Sequence, residues 1–146
     1  VMDQEQLIWQ GGELGPGYEN VVGSFHMNRY DLSASLNWNI GTRQELRVKL
    51  EALGFDADNP IAWRLGADGR GVVSNDPVQP FSLRNMGFQV RYRYELAPLS
   101  NLYVVYGRGG FGYDPYAAGA FDQFKDAFSL REDEQLLVKL AYRFEL

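Results

Sequence analysis

The amino-acid sequence predicts an all-β fold: an antiparallel transmembrane β-barrel, of which these 146 residues form the C-terminal portion, about five or six strands of a larger wall. Three observations carry that expectation. The chain closes on Glu134–Leu146, where Leu136, Val138, Leu140, Tyr142, Phe144 and Leu146 alternate with residues that include Lys139, Arg143 and Glu145. A period of two gives a strand one apolar and one charged face. Short and long connections between such segments also alternate along the chain, as they do in outer-membrane barrels. Finally, 45% of residues are hydrophobic while mean hydropathy is −0.33. No run of about 18 apolar residues occurs, which excludes a transmembrane helix but suits a wall in which only alternate side chains meet lipid.

Taken in order, the stretch Gln4–Asn28 holds a weak strand signal, because Gly11, Gly12, Gly15, Pro16 and Gly17 make much of it loop-like. Tyr30–Gly41 puts Leu32, Ala34, Leu36, Trp38 and Ile40 on one face and Ser33, Ser35, Asn37 and Asn39 on the other. Arg43–Gly54 sets Leu46, Val48, Leu50 and Ala52 against Arg47, Lys49 and Glu51. Arg84–Leu96 sets Met86, Phe88, Val90, Tyr92 and Tyr94 against Gln89, Arg91, Arg93 and Glu95. Asn101–Gly109 is apolar on both faces, and Glu134–Leu146 is the closing strand. Each segment is close to the roughly 9–11 residues that a tilted membrane strand needs. The turns Gly41-Thr42 and Ala97-Pro98-Leu99-Ser100 are short, whereas 55–83 and 110–133 read as long loops. With a periplasmic C-terminus, parity puts the short turns inside and the long loops outside. A strand count of five or six leaves the wall incomplete, so the remaining strands are expected from upstream chain or from another subunit.

Composition excludes several classes. Cysteine is absent, which removes disulfides, thiolate metal sites and cysteine nucleophiles. A net charge of −5 and a pI near 4.8 argue against a nucleic-acid partner. Val1-Met-Asp-Gln-Glu carries no signal-peptide pattern, so a leader was removed or residue 1 is internal to a longer chain. No cofactor and no catalytic constellation are expected. The sole histidine, His26, has no matched nucleophile, Gly107–Gly112 lacks the helix that a phosphate loop needs, and Asp56–Pro60 lacks the rest of a calcium loop.

Three separated segments resemble one family. They are Leu32–Leu50, Gln89–Gly107 and Leu136–Phe144. Together they are similar to the C-terminal barrel of the domain-of-unknown-function 5916 family of Gram-negative bacteria, and the resemblance covers roughly residues 30–146. It implies a bacterial outer-membrane location and an N-terminal carbohydrate-binding family 9-like module, absent from this segment, so no sugar-contacting residue carries over. The family's activity is itself unassigned. The function expected is therefore an outer-membrane barrel that anchors an upstream module and forms a pore or transport path. The alternatives are a surface protein that binds or processes glycans and uses the barrel only as an anchor, and a soluble ligand-binding β-barrel.

Two residue sets are the candidate functional groups. Lys139, Ala141, Tyr142, Phe144 and Leu146 resemble the C-terminal signal that barrel-assembly machinery reads by strand addition. Ala141 stands where glycine is preferred and Leu146 where an aromatic is. The second set is the charged face: Arg47, Lys49, Glu51, Arg91, Arg93, Glu95 and Arg143, with Lys139 and Glu145 beside them. It reads either as a basic lumen that favours anions or as a cross-strand salt-bridge network, and the interleaving of acids and bases favours the network. Within 110–133, Phe121, Phe124 and Phe128 have the spacing of one face of a short helix, which favours packing over stacking on sugars.

Overall fold

A computed structural model describes residues 2–10 and 14–144. The chain is all-β and antiparallel apart from one short helix. Its strands are β1 (Met2–Trp9), β2 (Val21–Ile40), β3 (Gln44–Leu65), β4 (Gly71–Ser74), β5 (Phe81–Ala97), β6 (Ser100–Asp114) and β7 (Asp133–Ala141), with α1 (Ala120–Ala127) between the last two. They form one sheet in the order β1-β2-β3-β5-β6-β7, and β4 pairs with the upper end of β3. Both tight connections, after β2 and after β5, lie at one end, here called the lower end; the longer excursions lie at the upper end.

Cross-strand partners share a face, so the register decides which side chains stand together. Leu36, Val48, Val90, Tyr106 and Leu136 form one row across five strands. The next row below is Trp38, Leu46, Tyr92, Val104 and Val138. These residues define an even face. On the odd face, Asn37, Arg47, Arg91, Val105 and Leu137 form one row, and Ser35, Lys49, Gln89, Gly107 and Gln135 the row above.

Toward the upper end the two faces exchange character. Phe25, Phe55 and Ala57, all on the odd face, are buried with Ile8, Met27, Leu53, Phe81 and Leu83 packed on them. Edge-to-face contacts of Phe81 with Phe25 and Phe55, both at 5.6 Å, lock this cluster. Gln10 and Gln79 exchange side chain-to-backbone hydrogen bonds of 3.1 Å, tying the end of β1 to the segment before β5. On the even face at the same level stand Asn28, Asp56, Ser82 and Asp114.

Several expectations are corrected. Segment 55–83 is not a loop: β3 runs on to Leu65 and β4 pairs back on it. The apolar side switches between Ala52 and Leu53, and a bulge sets Asn59 and Pro60 against Phe25, with Asn59 at φ 47°. Both features break the simple alternation while the ladder continues. Segment 110–133 likewise opens with β6, which reaches Asp114, and contains α1. Strands expected at 30–41, 84–96 and 101–109 are longer, at Val21–Ile40, Phe81–Ala97 and Ser100–Asp114. The closing strand is shorter. It stops at Ala141, whose partner Asn101 is next to the β5–β6 turn; beyond it only Ser100 of β6 remains. Glu145 and Leu146 lie outside the described residues.

Candidate functional site

The sheet presents three functional elements: an apolar belt, a helix seat and a charged cleft. The belt is the lower part of the even face. Leu36 is 53% exposed, Trp38 55%, Leu136 67% and Leu140 61%. Leu32 and Val138 extend the same uncovered surface. Apolar side chains in such a contiguous exposed array make this face a candidate interaction surface.

The helix seat lies at the upper edge of the belt. A helix of eight residues is too short to hold together alone, so its contacts must fix it. Ala120, Gln123 and Ala127 are its buried residues, and Ala127 packs with Ala52 and Met86 while Phe124 closes over them. This corrects the expected face of Phe121, Phe124 and Phe128: Phe121 and Phe128 stay exposed because the backbone itself comes down onto Gly54. A Cβ at Gly54 would stand 2.1 Å from the Phe124 nitrogen and 2.5 Å from the Ala120 carbonyl oxygen. Asp56 Oδ1 accepts a 2.9 Å hydrogen bond from the Ala120 N–H, a cap supplied by the neighbouring strand. At the other end Arg108 donates to the carbonyls of Phe128 and Leu130, where a cation complements the helix dipole.

Gln123 would be costly to bury unsatisfied, and both its side-chain polar atoms have partners. Its Nε2 donates to Asp114 Oδ2 at 2.7 Å and its Oε1 accepts from Arg84 Nη1 at 2.8 Å, while Arg84 also donates to Asp114 at 2.7 Å. Hydrogen bonds from Gln123 and then Arg84 hold the Asp114 carboxyl below the usual aspartate range. Burial pushes the Asp56 carboxyl up, opposed by the hydrogen bond from Ala120 and reinforced by the charge of Asp58. Sequence reasoning missed this cluster because β5, β6 and α1 each supply one member.

The charged set occupies the odd face. Arg47, Lys49, Glu51, Arg91 and Arg93 share it by register. Glu95 stands beside the irregularity that ends the β5–β6 ladder, and its N–H donates to the Arg43 carbonyl. Arg143 lies beyond the end of β7, with its N–H donating to Ser100 Oγ at 3.0 Å. Glu45, absent from the residues singled out in the sequence, is central: its carboxylate pairs with Arg47 at 2.5 Å and Arg93 at 3.2 Å. Lys49 pairs with Glu51 at 2.8 Å. Three shallow clefts open on this face.

Of the terminal set, Lys139 and Ala141 belong to β7, whose outer edge has no neighbour among the described residues. Tyr142 and Phe144 follow it with their rings 4.9 Å apart. Leu146 lies outside the described residues. Among the described residues no helix is long and apolar enough to cross a membrane, and no cluster of potential metal ligands occurs. Comparison with protein-family models, with curated proteins and with solved structures finds no match.

Proposed function

We propose that this chain is a wall segment of a Gram-negative outer-membrane β-barrel. In this reading the even face meets lipid, the odd face lines a lumen, and the wall anchors a further module or forms a transport path. The observation that carries the reading is the shape of the apolar belt. From Leu32 to Ile40 it spans eight residue steps, about 26 Å along the strand at roughly 3.3 Å each. On β7 its upper limit is Leu136, which is level with Leu36, four residues below Leu32. The rim thus falls by about one residue per strand over four strand-to-strand steps. A rise of about 3.3 Å per residue over a strand spacing of about 4.8 Å corresponds to a tilt of about 35°, the lower bound of barrel tilts. Corrected for that tilt the belt is about 22 Å tall, close to the roughly 25 Å lipid-facing band of outer-membrane barrels.

The remaining features fit the same arrangement. Above the belt the outer face turns polar, as a strand does on leaving hydrocarbon. Phe121 on α1 and Phe128 at its C-terminal cap are exposed at the rim, where their apolar rings would face the hydrocarbon edge. Below Arg29 the outer edge of β2 has no partner among the described residues, and β7 has one neighbour. Open edges are intolerable in lipid, so further strands, from the same polypeptide or another subunit, complete the wall. Its partners are outer-membrane lipid and barrel-assembly machinery, the latter reading Lys139, Ala141, Tyr142, Phe144 and Leu146. The resemblance of three segments to the domain-of-unknown-function 5916 barrels supports the same location.

Deleting residues 144–146 tests the assembly reading. In cells expressing the whole protein, the deletion should abolish its recovery in the detergent-extracted outer-membrane fraction while synthesis continues. Recovery of the truncated protein there at the normal level contradicts it.

A further inference from the structure

The cleft above the lower turns has more positive charge than its own carboxylates can neutralise. Its charged lining is Arg47, Arg91, Arg93 and Glu45, three cations against one anion. Arg47 and Arg91 are direct cross-strand partners, and like charges placed opposite each other are destabilising. Glu45 is bonded to both Arg47 and Arg93, so Arg91 is left with no carboxylate partner among the described residues. On the closing strand, Lys139 lies opposite Tyr103 on the same face and is a further cation beside the cleft. A wall built only for stiffness would pair Arg47 with an acid across the strands.

The rest of the cleft has the opposite character. Continuing along the same row from Arg91, the register reaches Val105 and then Leu137, and Tyr103 stands beside them. Guanidinium groups therefore line one side and apolar side chains the other. The cavity is about 440 Å³, within the roughly 300–1,000 Å³ usual for small-molecule sites.

We propose that this cleft binds an amphipathic organic anion, a carboxylate or phosphonate head with a short apolar body. The head takes charge-assisted hydrogen bonds from Arg91 together with Arg47, and a planar guanidinium suits either oxyanion. The body lies over Val105 and Leu137. Glu45 acts as an internal competitor that holds Arg47 and Arg93 when the site is empty. The inference rests on the odd face alone and stands whether or not the even face meets lipid.

The test follows the arginine Nε–H resonances of the full chain during titration with 3-phenylpropionate, its neutral analogue 3-phenylpropanol, and inorganic phosphate. The acid should move the Arg91 resonance saturably and bind at least about ten-fold more tightly than either comparison probe. Arg91→Gln should weaken the acid about ten-fold and leave the alcohol unchanged; losing a like-charge pair, this variant keeps its fold. Glu45→Gln should tighten the acid several-fold by freeing Arg47 and Arg93, a gain that a merely structural role for these arginines would not produce. Arg131→Gln, on the exposed segment after α1, should change nothing. Equal affinity for acid and alcohol, or an Arg91→Gln protein that binds the acid as before, overturns the site. Phosphate binding as tightly as the acid overturns the role of the apolar floor.

Discussion

Replacing Leu36 by arginine should destabilise the protein by about 2–4 kcal/mol in a bilayer, the cost of a cation at the midplane of the lipid face. Leu36 lies midway along the belt between Leu32 and Ile40, and its row continues through Val48, Val90 and Tyr106. Ser33→Arg, three residues away on the odd face, stands opposite Glu51 and should change stability by no more than about 0.5 kcal/mol. Both positions are exposed, so neither substitution buries a cation in the protein interior. Denaturant titration in lipid vesicles measures the pair. If Leu36→Arg costs no more than Ser33→Arg, the even face is in water.

Gly54→Ala should unseat α1. The added Cβ meets backbone atoms of Phe124 and Ala120, which cannot swing aside as a flexible side-chain tip can. Either the helix shifts, at the cost of about 1–3 kcal/mol usual for overpacking, or it leaves the sheet. If it leaves, the Asp56 cap and the Arg84–Asp114–Gln123 hydrogen bonds are lost with it, and Ala52 and Met86 are uncovered. Hydrogen exchange at the Gln123 and Ala127 amides should accelerate by at least an order of magnitude while β2 and β3 retain protection. Gly87→Ala is the control: its Cβ would meet nothing within 4 Å, so exchange in α1 should not change. Unaltered protection in Gly54→Ala would mean that α1 is not held on Gly54.

The lower half of the sheet was legible in the sequence because one rule governs it. From Leu32 to Ile40, Leu46 to Ala52 and Met86 to Tyr94, side chains alternate and the partners match in parity, so a period of two reveals both strands and faces. The upper half follows no such rule. Ala52-Leu53-Gly54-Phe55 changes which face is apolar, and Pro60 sits in a bulge, so continuing strand looks like loop. The glycine at 54 reads as a weak point in a strand, although it marks the place where a helix backbone comes close. Glu45 was overlooked beside the turn, and its importance comes from Arg93, which only the β3–β5 register brings opposite it. The Arg84, Asp114 and Gln123 cluster is likewise invisible without tertiary pairing.

The membrane-wall assignment depends on the even face being bathed in hydrocarbon. The chain contains no cysteine, so single cysteines at positions 32–40 can each carry a nitroxide label in vesicle-reconstituted protein. Collisions with lipid-soluble oxygen should peak at 34, 36 and 38, and those with a water-soluble nickel chelate at 33, 35, 37 and 39. A period of two in opposite phase for the two reagents is the predicted result. Stronger nickel than oxygen relaxation at 36 and 38, or shielding of both from either reagent, would contradict it.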